Sequence, residues 1–492
     1  MSDDSQKEIQ ETGATEKIGI VDEPLRRKGK DLLKIERYSN ALIKFIKNSH
    51  TPMTIGIQGQ WGSGKTSLLN TIYTELEEAN KHEYSKDFEV VWINSWENSL
   101  MATPEEALIK IINEIITSLV KVDPKVSNVK KVKEAATIAA KGILRVGAGI
   151  LAGQVGSNVV SEVLESSNSI GDLRRQLTTL VKEIRDSENQ RVDKIVIFVD
   201  DLDRIDPPEA VKILELLKNI FSIPGCVFVL AIDYQVVIKG LKAKFGKRTP
   251  ENEWEFKAFF DKIIQLPFLM PMGSYDIGYY VNDLLRQIGF QEEHEIDSEF
   301  VTKSVNYTIG GNPRSIKRLI NSLALIKIFN DDFDDEDEDQ NIQLEAENIT
   351  IERQLLFALV CLQIASPDVY SLLTRTPDFQ SWDADLAFDF TQKKEEQDPK
   401  FKQNFDLLTK EDLFDEVWEQ SLYRICYANP RERAKARDLS KFFNFLKETL
   451  GDKCDLSQQI AMALGQTSVT SVVSTDDVER APKGSYKRNY AS

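Results

Sequence analysis

An α/β fold with a parallel sheet sandwiched between helices is what this 492-residue sequence predicts. Three observations carry the prediction. Apolar, β-branched runs at 54–58, 88–96, 195–200, 226–233 and 262–271 alternate with helical stretches, the pattern of parallel strands joined by crossover helices. Two of these runs, IVIFVD (195–200) and CVFVLAID (226–233), stay apolar until a terminal acid, as expected of central strands covered on both faces. The first run passes through a glycine-rich turn, GQWGSGKT (59–66), straight into a helical pattern.

Length allows about two to four domains with a sizeable core. Hydrophobic residues make up 41% and charged residues 29%, the balance of a soluble globular chain. A net charge of −17 repels nucleic-acid phosphate over most of the surface, so no strong nucleic-acid signal is present. Cys226, Cys361, Cys426 and Cys454 lie far apart without CxxC spacing and read as reduced thiols. His50, His82 and His294 are scattered, so no zinc site is visible. The N-terminus is polar and acidic, unlike a signal peptide, and the expected address is the cytoplasm, with peripheral membrane association as the alternative.

In chain order, residues 1–20 read as disordered and 31–47 as an amphipathic helix. After the glycine-rich turn and its helix, FEVVWINSW (88–96) reads as the second strand. Thr103-Pro104-Glu105-Glu106 is a capping box with proline at the first helical position, and the helix it starts carries apolar residues from Leu108 to Leu119. Residues 121–190 form an insertion within a core of 21–273. It starts basic, continues with small apolar residues over 135–160, and ends in an amphipathic helix over 172–184. Lys141 and Arg145 interrupt the apolar part, and its charge-free remainder is too short to span a bilayer. A helical hairpin or self-association element is the favoured reading; membrane contact through 135–160 is not favoured. Asp206-Pro207-Pro208-Glu209 starts the helix after the 195–200 strand. Three helical stretches occupy 274–330, DDFDDEDED (331–339) lies in an acidic linker over 331–348, and 349–465 reads as a helical C-terminal domain before a flexible tail over 466–492.

The chemistry starts at 59–66. G-x-x-x-x-G-K-T between a strand and a helix is the pattern of a phosphate-binding loop (Walker A): glycines let backbone N–H groups face a phosphate, and the helix N-terminus adds its positive dipole end. Gly59, Gly62, Ser63, Gly64, Lys65, Thr66 and Ser67 are therefore the expected nucleotide-binding residues. Lys65 would bridge the β- and γ-phosphates, and the Thr66 hydroxyl would hold Mg²⁺. Asp200 and Asp201 end the 195–200 strand (Walker B). Asp200 is placed for the Mg²⁺ shell, and Asp201 to orient or deprotonate the attacking water. Asp203 and Arg204 read equally as a local salt bridge or, for Arg204, as a phosphate sensor or an arginine finger reaching a neighbouring subunit. Asp233 ends the next strand and serves either as a sensor near the γ-phosphate or as a helix cap. Arg314 stands in the first turn of a helix, where positive charge opposes the dipole, so a nearby phosphate would account for it; a solvated basic face with Lys317 and Arg318 is the alternative.

Taken together, GQWGSGKTSLL (59–69), VVWINSWE (90–97), IVIFVDDLDRIDP (195–207), VFVLAID (227–233), FFDKIIQLPF (259–268) and GGNPRSIKRLIN (310–321) resemble the KAP family of P-loop NTPases. The resemblance spans about 30–325. It implies a sheet ordered 5-1-4-3-2, a helical lid, and ATP rather than GTP as nucleotide. It also implies that transmembrane helices are often inserted between the two Walker motifs, where this chain has only the weakly hydrophobic 121–170. For part of the family it suggests phage exclusion. The expected activity is an ATPase switch using ATP and Mg²⁺, with a second copy of the chain or a protein partner bound through the insertion or the C-terminal domain. An ATP-holding scaffold or membrane-associated adaptor without turnover, and a nucleic-acid-stimulated ATPase, are the alternatives.

Overall fold

The structure is a computed structural model. It describes residues 19–470 apart from 26–29, 81–85, 101, 123–128, 136–137, 139–156, 187–191, 219–221, 291–295, 335–341, 389–390, 392–413, 415, 430–431 and 468–469. By its contacts the chain divides into two compact units: Glu23–Tyr275, and a second made of Met1–Asp22 with Asp276–Ser492.

The first unit is built on five parallel strands, β1 (Met53–Gln58), β2 (Lys86–Asn94), β3 (Val192–Asp200), β4 (Cys226–Ile232) and β5 (Leu266–Leu269), in the order β2-β3-β4-β1-β5. This is the 5-1-4-3-2 sheet that the resemblance implies. β4 is buried at every position and β3 at every position but Asp193 and, by its placement at the strand's start, follows the continuous apolar pattern read from the sequence. The register sets Gln58 opposite Ile232, Val199 opposite Leu230 and Asn94 opposite Asp200, so the C-terminal ends of β1, β2, β3 and β4 share one edge.

β5 is shorter than the apolar run 262–271 suggests. Ile263 and Ile264 are instead spent on the turn after helix Glu253–Asp261, their N–H groups bonding to Phe260 O at 2.9 and 2.8 Å. Pro267 lacks a donor, which suits a strand paired with β1 at the sheet edge. β2 also ends two residues early, because the Asn94 side chain accepts the N–H groups of Trp96 and Glu97, both at 3.1 Å, and starts the short helix Ser95–Ser99.

Helices cover the sheet. α1 (Glu36–Asn48) and α2 (Lys65–Ala79) precede and follow β1, and α1 starts later than the 31–47 stretch suggests. Its last carbonyls, Ile46 O and Lys47 O, receive the buried Lys194 ammonium of β3 at 3.1 and 2.6 Å. Pro104–Val122 starts with the capping box expected there: Thr103 N–H to Glu106 Oε2 at 2.9 Å, Glu106 N–H to Thr103 Oγ1 at 3.3 Å. Its Ile111, Ile112, Ile115, Ile116 and Leu119 are buried. Of the insertion, Ser157–Arg185 is one long helix that includes the expected 172–184 stretch and buries Leu173, Leu177, Leu180, Val181 and Ile184. Most of the 135–160 segment, the one considered for membrane contact, lies outside the described residues.

In the second unit, helices Ile277–Gln287, Ser298–Tyr307 and Pro313–Asp334 correspond to the three stretches read as a lid. The last extends into the acidic run, and the next, Ile342–Ala365, begins inside the expected 331–348 linker, leaving 335–341 outside the described residues. Ile342–Ala365 contains, among the described residues, one stretch long and apolar enough to cross a membrane, Asn348–Ala365. Two-thirds of it is buried, with Leu355 through Leu362 almost wholly enclosed, which is how a central helix of a bundle reads. Beside it Tyr370 and Gln363 bond to Thr467, and Phe379, Trp382, Trp418 and Phe443 form an aromatic cluster.

Candidate functional site

The loop between β1 and α2 is shaped by its glycines. Gly59 N–H bonds to Ile232 O of β4 at 3.2 Å, fixing where the chain leaves the sheet. A Cβ on Gly59 would meet the Ser63 hydroxyl and stand 2.8 Å from Met270 Cγ, so nothing larger fits. Gly62 (φ 83°) and Gly64 (φ 95°) take left-handed conformations that other residues enter only at a cost. The Tyr275 hydroxyl donates to Ser63 O at 2.8 Å and pins the far side of the loop. The Ser63 hydroxyl is buried and has no hydrogen-bond partner among the described residues, an open polar group inside the loop. Trp61, at the tip, is 64% exposed. Ser67 has a structural engagement: its hydroxyl accepts Leu25 N–H at 3.0 Å, while Asn70 Nδ2 donates to Leu25 O at 3.2 Å.

Lys65 is nearly enclosed. Its ammonium donates to Gly59 O at 3.0 Å, Gln60 O at 3.3 Å and Asp203 Oδ2 at 2.7 Å, and both side chains of the ion pair are 6% exposed. Pairing of Asp203 with Arg204 is thereby corrected. Arg204 instead binds Asp201, Nε to Oδ1 at 2.7 Å, and lays its guanidinium over the Trp96 ring, 5.5 Å from the centroid. The cause is local: residues Leu202–Arg204 form a 3₁₀ turn that follows Asp201 in the left-handed region (φ 60°), and one turn brings residue 204 back over 201 while 203 points to Lys65. An aspartate tolerates that conformation better than most residues. Asp201 also accepts from Asn94 Nδ2 at 3.2 Å, across the β2–β3 edge.

Asp200 is 3% exposed and accepts Asp201 N–H at 2.8 Å and the Thr66 hydroxyl. Burial, then the neighbouring Asp201 charge, push its carboxyl up to about 6, against the pull of those two donors. Asp201 is also raised by burial, with the Arg204 guanidinium opposing the shift. Two crowded carboxylates of raised pKa beside an open loop form a place where a cation would be stabilised. Among the described residues no three His, Cys, Asp or Glu side chains gather as a metal site. One hydroxyl and one carboxylate, Thr66 and Asp200, are nevertheless a fitting donor pair for a Mg²⁺ ion that draws its other ligands from phosphate and water.

Asp233 caps helix Tyr234–Phe245, accepting Gln235 N–H at 2.9 Å, the capping alternative read from its position. Arg314 belongs to the second unit. Its Nε donates to Asp22 Oδ2 at 2.5 Å, and Lys317 stands 3.8 Å from the same carboxylate. These residues, with Arg318 and Asn321, line a cavity of about 380 Å³. The structure thus brings together Lys65, Thr66, Asp200, Asp201, Asp203 and Arg204. Asn94 has no signal of its own in the sequence, and Asp203 reads there only as a local partner of Arg204; the tertiary pairs that reveal their places, Asn94 with Asp201 and Asp203 with Lys65, have no local pattern.

The KAP family P-loop domain matches residues 35–329. The "Phage T7 exclusion protein" of Escherichia coli (strain K12) is 26% identical over 303 residues, covering 55% of this chain; the chain spans only 38% of that relative's length. Among solved structures, Drosophila ORC bound to DNA aligns over 90% of this chain and 89% of that one, at 14% identity and TM-score 0.36. The Aeropyrum pernix ORC1 protein in complex with DNA aligns over 90% and 85%, at 11% identity and TM-score 0.34. With the family domain matching more than half of this chain, and with the glycine loop and paired acids in place, this chain belongs to the KAP family of P-loop NTPases.

Proposed function

We propose that the chain binds ATP with Mg²⁺ at the 59–66 loop, hydrolyses it, and uses the occupancy of the site to set the position of the 274–330 helices as a switch for a protein partner or a second copy. The observation that supports this best is the Thr66 side chain beside the buried Asp200 carboxylate, next to a loop that needs glycine at positions 59, 62 and 64. Bound MgATP supplies the electrophilic γ-phosphate. Thr66 and Asp200 would hold the cation, and the loop N–H groups with Lys65 would orient the phosphates and offset their charge. Asp201 would hold the lytic water and take its proton, with Arg204 and Asn94 fixing its carboxylate. Asp233 and Arg314 are proposed as sensors of lower rank, since each already has a structural partner.

The test is steady-state ATP turnover of wild type against Lys65→Ala and Asp201→Asn. Turnover lost in both, with nucleotide binding lost only in Lys65→Ala, is the expected result. Tight ATP binding without turnover in wild type overturns hydrolysis and favours a second reading, a scaffold that holds ATP. The observation favouring that reading is the engagement of Asp201 by two side chains. We further place the switch in defence against phage, by likeness to the relative named above; phage plating on cells with and without the intact chain tests this.

A further inference from the structure

We propose that Asp203 sets the affinity and the metal requirement of the phosphate site by competing with phosphate for Lys65. The inference rests on the reading of 59–66 as a nucleotide site. The Lys65 ammonium has three hydrogen-bond donors, and the structure assigns all three: Gly59 O, Gln60 O and Asp203 Oδ2. A phosphate can take the ammonium only by displacing one of them. The two carbonyls belong to the loop that must itself stay in place, so the carboxylate is the partner that yields.

Displacement has two consequences. First, the ion pair is nearly enclosed, so separating it leaves Asp203 without a counter-charge in a poorly solvated site. Second, the site then carries three carboxylates, Asp200, Asp201 and Asp203, against Lys65 and Arg204. A metal-free polyphosphate adds several negative charges to that sum, whereas a divalent cation offsets them. Asp203 therefore discriminates against bare polyphosphate anions and in favour of their Mg²⁺ complexes. It touches neither metal nor water in this account and is a positioning residue that acts through Lys65.

The experiment measures binding of ATP and of inorganic pyrophosphate, each with Mg²⁺ and with EDTA, to wild type, Asp203→Asn and Asp206→Asn. Asp206 is an exposed acid two residues past the Leu202–Arg204 turn, at the start of helix Pro207–Leu217, with no side-chain capping bond, and it controls for net charge. Asp203→Asn is expected to tighten metal-free ATP and pyrophosphate by about tenfold or more, equivalent to one released ion pair of modest strength, and their Mg²⁺ complexes by less. Asp206→Asn is expected to follow wild type. Equal or weaker metal-free binding by a folded Asp203→Asn overturns the proposal while leaving the nucleotide reading intact. Absence of ATP and pyrophosphate binding in every variant overturns the nucleotide reading and the proposal with it. Binding by Asp203→Asn alone supports the proposal in its strongest form. Should Asp203→Asn fold poorly, Lys65→Met with Asp203→Asn removes both charges; restored thermal stability in the ligand-free double variant supports the enclosed pair, and stability no better than the single variant counts against it.

Discussion

The Tyr275 hydroxyl, at the C-terminal limit of the sheet unit, donates to the carbonyl of Ser63 in the glycine loop at 2.8 Å. The two residues are far apart in sequence, yet the bond fixes the peptide that precedes Gly64 and hence the orientation of the N–H groups at the start of α2. Both ends are enclosed, and burial raises the Tyr275 hydroxyl above its ordinary range, which keeps it a donor. Tyr275→Phe leaves the Ser63 carbonyl without this donor at a cost of about 1–3 kcal/mol. The expected outcome is a melting temperature lowered by a few degrees and a several-fold weaker nucleotide affinity. Loss of stability with unchanged affinity would mean that the bond serves the fold alone.

Arg204 distinguishes two kinds of site. Its pairing with Asp201 at 2.7 Å and its position over Trp96 make it a local clamp, whereas an arginine finger would act on a neighbouring molecule. Arg204→Ala should therefore reduce turnover by about tenfold to a hundredfold through misplacement of Asp201, and mixing it with a Lys65→Ala chain should not restore activity. Recovery of turnover in the mixture would assign Arg204 to the neighbouring site instead. Asn94→Ala should act in the same direction and more weakly, since Asp201 keeps its ion pair.

What the sequence revealed and what it concealed follow from the range of the interactions. Strand β3 and strand β4 were legible because burial on both faces demands an unbroken apolar run, and the 59–66 loop because positive φ at positions 62 and 64 demands glycine. The Asn94 cap is hidden because an amide set between Ile93 and Ser95, inside a run flanked by Trp92 and Trp96, looks like one more strand position. Ile263 and Ile264 were read as strand because an apolar side chain buried in a turn and one buried in a sheet have the same hydrophobic signature. The Lys65–Asp203 pair was hidden for a different reason. Asp201, Asp203 and Arg204 offer several local pairings, and only the left-handed backbone of Asp201 selects which acid faces the loop.

Gly59 gives the loop its sharpest steric test. Any Cβ there stands 2.8 Å from Met270 Cγ and closer still to the Ser63 hydroxyl, so Gly59→Ala must displace the loop. Gly59 is also the residue whose carbonyl receives Lys65 at 3.0 Å and whose N–H is tied to Ile232. A shift of this peptide moves the ammonium and the loop entrance together. Nucleotide affinity should fall by about tenfold or more, with far-ultraviolet circular dichroism unchanged because the strand and helix on either side keep their packing. Met270→Ala in the Gly59→Ala background opens space on one side, and partial recovery of affinity would locate the clash there.

Asp200 gives a pH dependence whose sign is fixed by its burial. Its folded pKa of about 6 lies above the ordinary 3.8, so the folded protein holds the Asp200 proton more tightly than the unfolded chain does. Stability from this group is therefore full below about pH 4, is lost as pH rises through the window from about 4 to about 6, and stays lost above it. Raising the carboxyl from 3.8 to about 6 corresponds to roughly 3 kcal/mol. Asp200→Asn can still accept Asp201 N–H and approach the Thr66 hydroxyl without a charge to bury. In EDTA and without nucleotide, Asp200→Asn should match wild type near pH 4 and melt several degrees higher at pH 7.5. Parallel melting curves for the two proteins across that window would show that the carboxylate is solvated and that the cation-attracting charge at this edge resides on Asp201.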